Sequence, residues 1–292
     1  MNCPVCQAPV LFGDFFCEAC GHSLSSPTCA SCGAAAVDAE GYCEHCGLRQ
    51  PTGRDHAELE LDGGAAGVTD RGLRRVRNED AMALLSTAAG TVAGTVAGTV
   101  TSTAAGTVTS TVAVVCDGVG SSPRADEAAS VATETASSAL ARGATSEEAF
   151  ELARQAVAKL ATSVEDSPAC TYVSAVVEQG RITLGWAGDS RAYWLPDGVL
   201  LTEDDAAPTG EITSWLGADA GDVRPRVRVI TPQAPGHLLV CSDGLWRYLD
   251  GYTFPRSGTP LDMAREMLRH ALDSGGHDNV TIVLIPLGGT HG

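Results

Sequence analysis

Four short acidic motifs recur in a fixed order along the chain and restrict the folds that could hold them. They are Arg75-x-x-Asn78-Glu79-Asp80, Asp117-Gly118, Ser242-Asp243-Gly244 and Asp278-Asn279. Asp117 follows the apolar residues 112–116, and Asp243 closely follows residues 238–241, so each carboxylate stands at the end of a predicted buried strand. Carboxylates delivered from distant parts of a chain suit two hard divalent cations. The sequence therefore favours a metallohydrolase.

Asp-Gly alone is a weak signal, because the dipeptide commonly forms turns. The chain also has it at Asp62, Asp197 and Asp250, where we expect turns only. At Asp117 and Asp243 the preceding apolar run favours the metal-ligand interpretation, because a carboxylate at the edge of a core is costly unless it is paired or coordinated.

A longer series of motifs carries a family resemblance. The series is Thr69-Asp70-x-Gly72-x-x-Arg75-x-x-Asn78-Glu79-Asp80, Asp117-Gly118-Val119-Gly120, Gly188-Asp189-Ser190-Arg191, Ser242-Asp243-Gly244 and Asp278-Asn279-x-Thr281. It resembles the metal-dependent protein phosphatase family, type 2C, in its bacterial form. The resemblance implies an α+β fold, a four-layer α-β-β-α sandwich of two antiparallel sheets flanked by helices. It also implies a phosphoserine/phosphothreonine phosphatase that uses a water activated by two Mn²⁺ or Mg²⁺ ions.

The resemblance assigns a role to each matched residue. Arg75 matches the family's phosphate-binding arginine, and its planar guanidinium suits a phosphoryl group. Asp80 is expected to act nearby through ordered water. The implied metal ligands are Asp117 for both ions, Asp243 and Asp278 for the first ion, Glu79 and the Gly118 carbonyl for the second, and Asp189 for a possible third. All are oxygen ligands, the set that Mg²⁺ and Mn²⁺ prefer.

The chain departs from the family pattern near the predicted site. Val119 stands where some members have a histidine proposed as a general acid, so we expect water to protonate the leaving group, if protonation is needed. The loop after Gly120 lacks the family's further glycines. Residues 205–213 form a short stretch, which predicts a trimmed flap over the site, and flap residues help to select substrates.

Two other hydrolase patterns are weaker. Cys241 and Arg247 have the Cys-x5-Arg spacing of cysteine-dependent phosphatases, whose thiolate attacks phosphorus. Here Asp243 would lie inside the phosphate cradle, where it would repel the dianion and raise the thiol pKa. Gly188-Asp189-Ser190 matches some lipolytic hydrolases, but no Asp-x-x-His follows it near the C-terminus. Buried core thiols are the favoured interpretation of Cys116, Cys170 and Cys241; a redox sensor at Cys116 or Cys241 stays open.

The first 50 residues contain a repeat of paired cysteines. Adding 26 to the first four positions gives the second four: Cys3, Cys6, Cys17, Cys20, then Cys29, Cys32, Cys43, Cys46. Paired Cys-x2-Cys knuckles suit tetrahedral zinc, and a segment this short cannot bury enough apolar surface to fold without such support. The pattern resembles a tandem zinc ribbon with two structural Zn²⁺ ions. A disulfide framework is the less favoured alternative.

Charge restricts the partners that we expect. The ribbon segment has five acidic residues against Arg49 alone, and the whole chain has a net charge of −17. Phosphate backbones require the opposite sign, so we expect no nucleic-acid partner. We expect the ribbons to bind a protein or to regulate, and the catalytic domain to act on phosphorylated proteins, plausibly Ser/Thr kinases or their substrates.

The sequence predicts two modules. These are a tandem zinc ribbon at residues 1–50 and a phosphatase domain at 67–288, joined by a linker at 51–66 rich in glycine and charge. Residues 86–111 form a Thr/Gly/Ala/Val tract predicted to enlarge a hairpin or form a loop. No long apolar span or basic, apolar leader is present, so we expect a cytoplasmic protein without membrane contact. The competing function is a catalytically weak or inactive adaptor that acts through its ribbons.

Overall fold

The computed structural model of the chain describes residues 6, 8–9, 19–20, 29, 31–34, 36–38, 41–48, 50, 53–88, 91–96, 99–101, 108–163 and 165–288. The chain divides into two compact units, Met1–Thr52 and Gly53–Gly292. In the described part of the chain, no helix combines the length and the apolar character that a membrane span requires.

The larger unit contains two antiparallel sheets. One has seven strands in the order β11-β8-β7-β6-β3-β4-β5 and the other has six in the order β1-β2-β13-β12-β9-β10. The strands are β1 His56–Glu60, β2 Ala66–Asp70, β3 Ala81–Ala88, β4 Thr91–Val96, β5 Thr99–Thr101, β6 Val108–Cys116, β7 Tyr172–Glu178, β8 Arg181–Ala187, β9 Arg191–Leu195, β10 Val199–Leu200, β11 Arg226–Ile230, β12 Gly236–Cys241 and β13 Val280–Leu287.

Helices cover the outer face of each sheet. Helices α1 (Ala125–Ala141) and α2 (Ser146–Ala158) bury alanines, Phe150 and Val157 against the seven-stranded sheet. Helices α3 (Asp243–Trp246) and α4 (Pro260–Asp273) pack on the six-stranded sheet. The inner faces of the two sheets meet in a core that includes Leu84, Val115 and Val240. This arrangement confirms the predicted four-layer α-β-β-α sandwich.

Local sequence explains where helices α2 and α4 begin. Thr145 accepts a hydrogen bond from the Glu148 backbone amide, and the Glu148 carboxylate accepts one from the Thr145 amide. Thr259 and Asp262 form the same capping box before α4. Each box satisfies two amides that the first helical turn would leave without partners.

The structure differs from the predicted linker at residues 51–66. Residues 56–60 form β1, which pairs with β2 as an edge strand of the six-stranded sheet. The residues of β1 alternate between exposed and half-buried positions, with Ala57 and Leu59 facing inward. This alternation has the period of a strand, although the surrounding glycines and charges favoured a linker.

The Thr/Gly/Ala/Val tract at 86–111 contributes strands to the seven-stranded sheet. β4 pairs with the end of β3, and β5 pairs with β4 at the sheet edge. β6 pairs with the other side of β3 and leads directly to Asp117. Residues 89–90, 97–98 and 102–107 of the tract lie outside the described residues.

Candidate active site

Strand register brings the predicted acidic ligands to one end of the sandwich. Asp80 precedes β3 and Asp117 follows β6, and the neighbouring residues Ala81 and Cys116 are paired. In the other sheet Cys241 of β12 pairs with Ile282 of β13, so Asp243 and Asp278 also lie close together. The negative charges of Asp80, Asp243, Asp278 and Asp189 all act on Asp117. Asp80 and Asp278, which are 198 positions apart in the sequence, therefore belong to one acidic cluster.

Asp80 is held by two hydroxyl groups. Its Oδ2 accepts hydrogen bonds from Ser242 Oγ and Thr281 Oγ1, each at 2.7 Å. Thr281 Oγ1 also contacts Thr69 Oγ1 at 2.7 Å. The side chain of Asp80 is buried, and burial raises its pKa to about 7 against the effect of these two hydrogen bonds. The network fixes the carboxylate at the base of the acidic cluster.

Asn279 fixes the loop that carries Glu79 and Arg75. Its Nδ2 donates to the carbonyls of Arg71 and Arg77, both at 2.8 Å, and its Oδ1 accepts from the Glu79 amide at 2.8 Å. Asn279 is 2% exposed. Buried polar groups of this kind are stable only when paired, so the three bonds hold residues 71–79 in one conformation.

Two glycines allow the close approaches that shape the site. A Cβ at Gly118 would lie 2.9 Å from the backbone of Ala125 at the start of α1. A Cβ at Gly244 would collide with the Asn279 carbonyl. The glycine after each of these two predicted ligand aspartates, Asp117 and Asp243, therefore has a packing requirement beyond turn formation.

The carboxylate oxygens of the acidic cluster are suitable ligands for divalent cations. Among the described residues, no hydrogen-bond donor reaches the buried Asp80 Oδ1 or Asp243 Oδ1. Burial raises the pKa of Asp117 well above its usual range, and burial together with neighbouring carboxylates raises the pKa of Asp243. Burial likewise raises the pKa of Glu79, and it raises that of Asp189 to about 6. Buried acceptor oxygens without donors, in a cluster of like charges, are the environment that a cation stabilises.

Two arginines pair with carboxylates of the cluster. Arg75 Nη2 lies 2.6 Å from Asp278 Oδ2, and the loop at Gly120 passes beside the Arg75 guanidinium. Arg247 Nη2 lies 2.7 Å from Asp243 Oδ2. Both guanidinium groups are partly exposed, at 38% for Arg75 and 55% for Arg247. Each can therefore reach solvent and the aspartate that it contacts.

A cleft of about 490 Å³ opens beside the Asp117 loop. Its walls come from residues 119–123, from 165–169 and from residues 211–219, which begin inside the predicted flap at 205–213 and continue beyond it. Trp215 forms part of one wall, and its Nε1 donates to Asp219 Oδ1 at 3.1 Å. Glu165, Glu211 and Asp219 give the cleft three carboxylates, and none of the described residues that line it is basic.

A separate thiol cluster lies in the N-terminal unit. The sulfur atoms of Cys29, Cys32, Cys43 and Cys46 all lie within 4.8 Å of one another. The Cys29–Cys46 and Cys32–Cys43 sulfur pairs are 3.7 and 3.6 Å apart. A tetrahedron with Zn–S bonds of about 2.3 Å requires sulfur separations of about 3.8 Å. The four thiols therefore fit zinc in size and in chemistry. Cys3 and Cys17 lie outside the described residues, so the first ribbon's ligand set stays a prediction.

Comparison with known proteins decides the family. Residues 100–275, more than half of the chain, match the family model for protein phosphatase 2C. The chain belongs to the protein phosphatase 2C family. Residues 3–47 match the double zinc ribbon model, which covers all eight cysteines of the N-terminal repeat.

Relatives and solved structures agree with this membership. The Serine/threonine phosphatase stp of Listeria monocytogenes is 30% identical over 140 residues, which cover 39% of this chain and 55% of the relative. The chain thus spans about half the length of the curated relatives that it matches. The structure of Stp1 from Staphylococcus aureus superposes with a TM-score of 0.65 at 22% identity, over 80% of this chain and 98% of that one. The PstP catalytic domain, solved in complex with two manganese ions, has a TM-score of 0.53 at 24% identity, over 78% and 98%. At these identities the structures show that the fold is shared.

Within this protein phosphatase 2C domain the core thiols are buried. Cys116, Cys170 and Cys241 are each 0% exposed. Burial raises the pKa of Cys241 far above its usual range, and Asp243 raises it further. Cys170 is affected in the same direction by burial and by Cys116. Thiols in this state are poor nucleophiles, which argues against both the Cys-x5-Arg chemistry and a readily oxidised sensor.

The sequence motifs of this phosphatase 2C domain also contain residues whose structural roles we did not predict. Asn78 and Asn279 fix the loop and strand ends around Glu79, and Ser242 and Thr281 hold Asp80. The available signal was their place inside the acidic motifs. Arg247 was noted only as part of the Cys-x5-Arg pattern, and its contact with Asp243 was missed.

Proposed function

We propose that this member of the protein phosphatase 2C family is a protein-serine/threonine phosphatase that uses two Mn²⁺ or Mg²⁺ ions. The observation that supports it best is the acidic cluster at one end of the sandwich, where two buried carboxylate oxygens lack donors. Family membership and the Listeria phosphatase relatives support the same reaction class.

We assign the metal ligands as the sequence predicted them. Asp117 from the seven-stranded sheet would bridge the ions, Asp243 and Asp278 from the six-stranded sheet would hold the first, and Glu79 with the Gly118 carbonyl would hold the second. When bound, the ions would supply a lowered pKa of water, charge neutralisation and orientation for an in-line displacement. Asp80 lies beside Asp243, and its buried Oδ1 can accept a hydrogen bond from a water.

Arg75 is the residue that we assign to substrate binding. Its guanidinium is partly exposed and lies at the edge of the acidic cluster, held by Asp278 at 2.6 Å. A phosphoryl group that enters the site can take up the remaining donors of the fork, because a guanidinium has five N–H groups. The polypeptide that flanks the phosphoresidue would lie in the cleft beside the Asp117 loop, where the flap region lines it.

The N-terminal unit completes the proposal. We assign two structural Zn²⁺ ions to the eight cysteines of residues 1–50 and place the catalytic domain at 67–288, with β1 as an N-terminal extension of its sheet. The ribbons would bind a protein partner or regulate the phosphatase. The substrates would be phosphorylated proteins, plausibly Ser/Thr kinases or their targets. Thiolate ligands are maintained in a reducing compartment, which supports a cytoplasmic location.

The test is hydrolysis of p-nitrophenyl phosphate and of a phosphothreonine peptide by the purified full-length chain. We expect turnover with Mn²⁺ that excess EDTA abolishes and renewed Mn²⁺ restores. Thiol alkylation of the native protein should leave turnover in place, because the three core thiols are buried. No turnover with any divalent metal would overturn the proposal in favour of an adaptor, and EDTA-resistant, alkylation-sensitive turnover would overturn it in favour of Cys241.

A further inference from the structure

Arg247 makes a specific contact with one oxygen of Asp243. Its Nε and Nη2 lie 2.9 and 2.7 Å from Asp243 Oδ2. The other oxygen, Oδ1, is buried and has no donor among the described residues. One oxygen of the Asp243 carboxylate, Oδ2, therefore binds Arg247, and the other, Oδ1, can accept a further ligand. Oδ1 would be the oxygen that binds the first metal ion.

The short helix α3 and its tryptophan set the position of Arg247. Asp243 opens the helix, so Arg247 lies one turn later on the same face. The guanidinium carbon lies 5.3 Å from the centre of the Trp246 ring. The Trp246 indole Nε1 donates to the Asp189 backbone carbonyl at 2.8 Å. Trp246 thus connects the segment that carries Asp189 to the helix that carries Asp243 and Arg247.

Arg191 holds the same indole in place. Its guanidinium lies 3.5 Å from the Trp246 ring centre and forms two hydrogen bonds with Asp204, at 2.9 and 2.7 Å. A cation against an indole face is stabilised by the ring quadrupole. The Trp246 side chain is therefore held in one orientation. The backbone of the next residue, Arg247, is held in position with it.

Arg247 also lies next to the segment that carries Asp189, which the family resemblance implies as a ligand of a third metal ion. Arg247 directly follows Trp246, whose indole donates to the Asp189 backbone carbonyl at 2.8 Å. A guanidinium remains charged at every pH that a protein experiences. A divalent cation between Asp189 and Asp243 would have to approach this fixed positive charge.

We propose that Arg247 takes the place of the third divalent cation, so that this centre binds two ions and no third at Asp189. The inference rests on the two-ion site proposed above. Arg247 is a positioning residue in this role, because it acts through Asp243 and Asp189. Arg247 provides positive charge beside Asp189 and Asp243. Unlike a bound metal ion, this charge does not dissociate when the concentration of free metal is low.

The experiment is calorimetric titration of Mn²⁺ into the full-length, zinc-loaded chain, with zinc measured separately. We compare the wild type with Arg247→Gln, Arg247→Lys, Asp189→Asn and the Arg247→Gln/Asp189→Asn double variant. We expect two Mn²⁺ per wild-type chain and a third, weaker Mn²⁺ in Arg247→Gln. Arg247→Lys, which keeps the charge, should bind two. Asp189→Asn should leave the wild-type number unchanged but remove the additional ion from Arg247→Gln.

Several outcomes would overturn the inference. One is a wild type that binds three Mn²⁺ and loses one in Asp189→Asn. Another is an Arg247→Gln protein that folds, by circular dichroism, and still binds two. A third ion in Arg247→Lys would show that charge is not the reason. If Arg247→Gln does not fold, Arg247→Met replaces it, and a folded Arg247→Met protein that binds only two Mn²⁺ would equally overturn the inference. A wild type that binds no Mn²⁺ would instead overturn the two-ion function itself.

Discussion

At the scale of single residues, similar dipeptides have different surroundings. Asp243 and Asp250 are both followed by glycine, but Asp243 is 8% exposed beside other carboxylates, whereas Asp250 lies at the surface. The apolar residues before Asp243 distinguished the two in the sequence. A burial difference of this kind changes what the same carboxylate can do, because an exposed charge is solvated by water and a buried one needs a partner.

The first prediction uses that pair. Asp243→Asn removes a charged oxygen ligand, so we expect hydrolysis of p-nitrophenyl phosphate with Mn²⁺ to fall by more than about a hundredfold, since loss of outer-sphere partners alone costs about 10–100-fold. The zinc content should not change, because the thiol cluster is in the other unit. Asp250→Asn is the matched control and should retain wild-type turnover. An active Asp243→Asn protein would contradict the assignment of Asp243 as a metal ligand.

The second prediction concerns the buried thiol at Cys241. Cys241→Ala removes one sulfur from the core, which we expect to destabilise the protein by about 1 kcal/mol. Turnover per folded molecule should stay close to the wild type, because the thiol is buried and its pKa is raised. Thermal unfolding and steady-state kinetics measure the two effects separately. A folded Cys241→Ala protein without turnover would support thiol chemistry instead.

The sequence was sufficient for the strand-end carboxylates but not for all their contacts. Asp117 and Asp243 could be predicted to lie at the ends of buried strands because apolar runs of four or five residues precede them. The contact between Asp243 and Arg247 depends on α3, a helix of four residues. One helical turn is too short to show a hydrophobic period, so the sequence did not place the two side chains on one face.

At the scale of elements, one side chain from another segment bonds to the loop that leads into β3 at three points. Asn279 bonds to backbone groups of Arg71, Arg77 and Glu79, and it belongs to the segment that enters β13. The loop therefore takes its shape from a neighbouring strand in the other sheet. Its own sequence supplies a turn signal only at its start, where Gly72 has a positive φ and its amide donates to Asp70 Oδ1 at 2.7 Å.

The third prediction follows from these bonds. Asn279→Ala would remove the side-chain partner of three partly buried backbone groups, and we expect a loss of about 1–3 kcal/mol of stability. Turnover should fall as well, because Glu79 and Arg75 lose their fixed positions. Thr145→Ala is the control, since removing the α2 cap costs about 1 kcal/mol but lies away from the cluster. If both variants lose stability and neither loses turnover, the loop does not position the site.

Element boundaries show where prediction from sequence fails. The sheets and long helices could be predicted because alternating or 3.6-residue apolar patterns continue for whole elements. The strands β1 and β4 could not. β1 lies among charges and glycines, and the repeated Ala-Gly-Thr-Val units allow either a loop or a strand. Their pairing with β2 and β3 is a tertiary effect that overrides the local preference.

At the scale of the whole molecule, charge is unevenly distributed around the proposed site. The chain has a net charge of −17, but residues 71–77 contain four arginines and no acidic residue. Among the described residues, those that line the cleft include three carboxylates and no basic side chain. A phosphopeptide bound as proposed would therefore meet the arginines of residues 71–77 as well as the carboxylates of the cleft.

The fourth prediction tests the acidic side. Glu211→Gln together with Asp219→Asn should lower kcat/KM for phosphothreonine peptides with neighbouring arginines by about 3–10-fold, since exposed ion pairs contribute up to about 1 kcal/mol each. Turnover of p-nitrophenyl phosphate, which has no peptide, should not change. The preference should weaken in high salt. Equal losses for arginine-containing and alanine-containing peptides would exclude a charge effect.

The fifth prediction separates the two units. Cys29→Ser with Cys32→Ser removes half of one thiol cluster, and we expect the zinc content to fall from two to one per chain. Hydrolysis of p-nitrophenyl phosphate should be unaffected, because all proposed catalytic residues lie within Gly53–Gly292. Equal loss of zinc and turnover would show that the catalytic unit depends on the ribbon.

The ligands of the proposed centre come from both sheets. Asp117 ends a strand of one layer, whereas Asp243 and Asp278 flank paired strands of the other. The bound ions would thus link the two sheets, and the affinity for metal would depend on how well the two sheets are aligned. A change in core packing far from the acidic cluster, for example between Leu84 and Val240, would lower the affinity for metal before the protein unfolds. Ageing and heat would therefore inactivate the protein by misaligning the two sheets, and with them the metal ligands, while most strands are still intact.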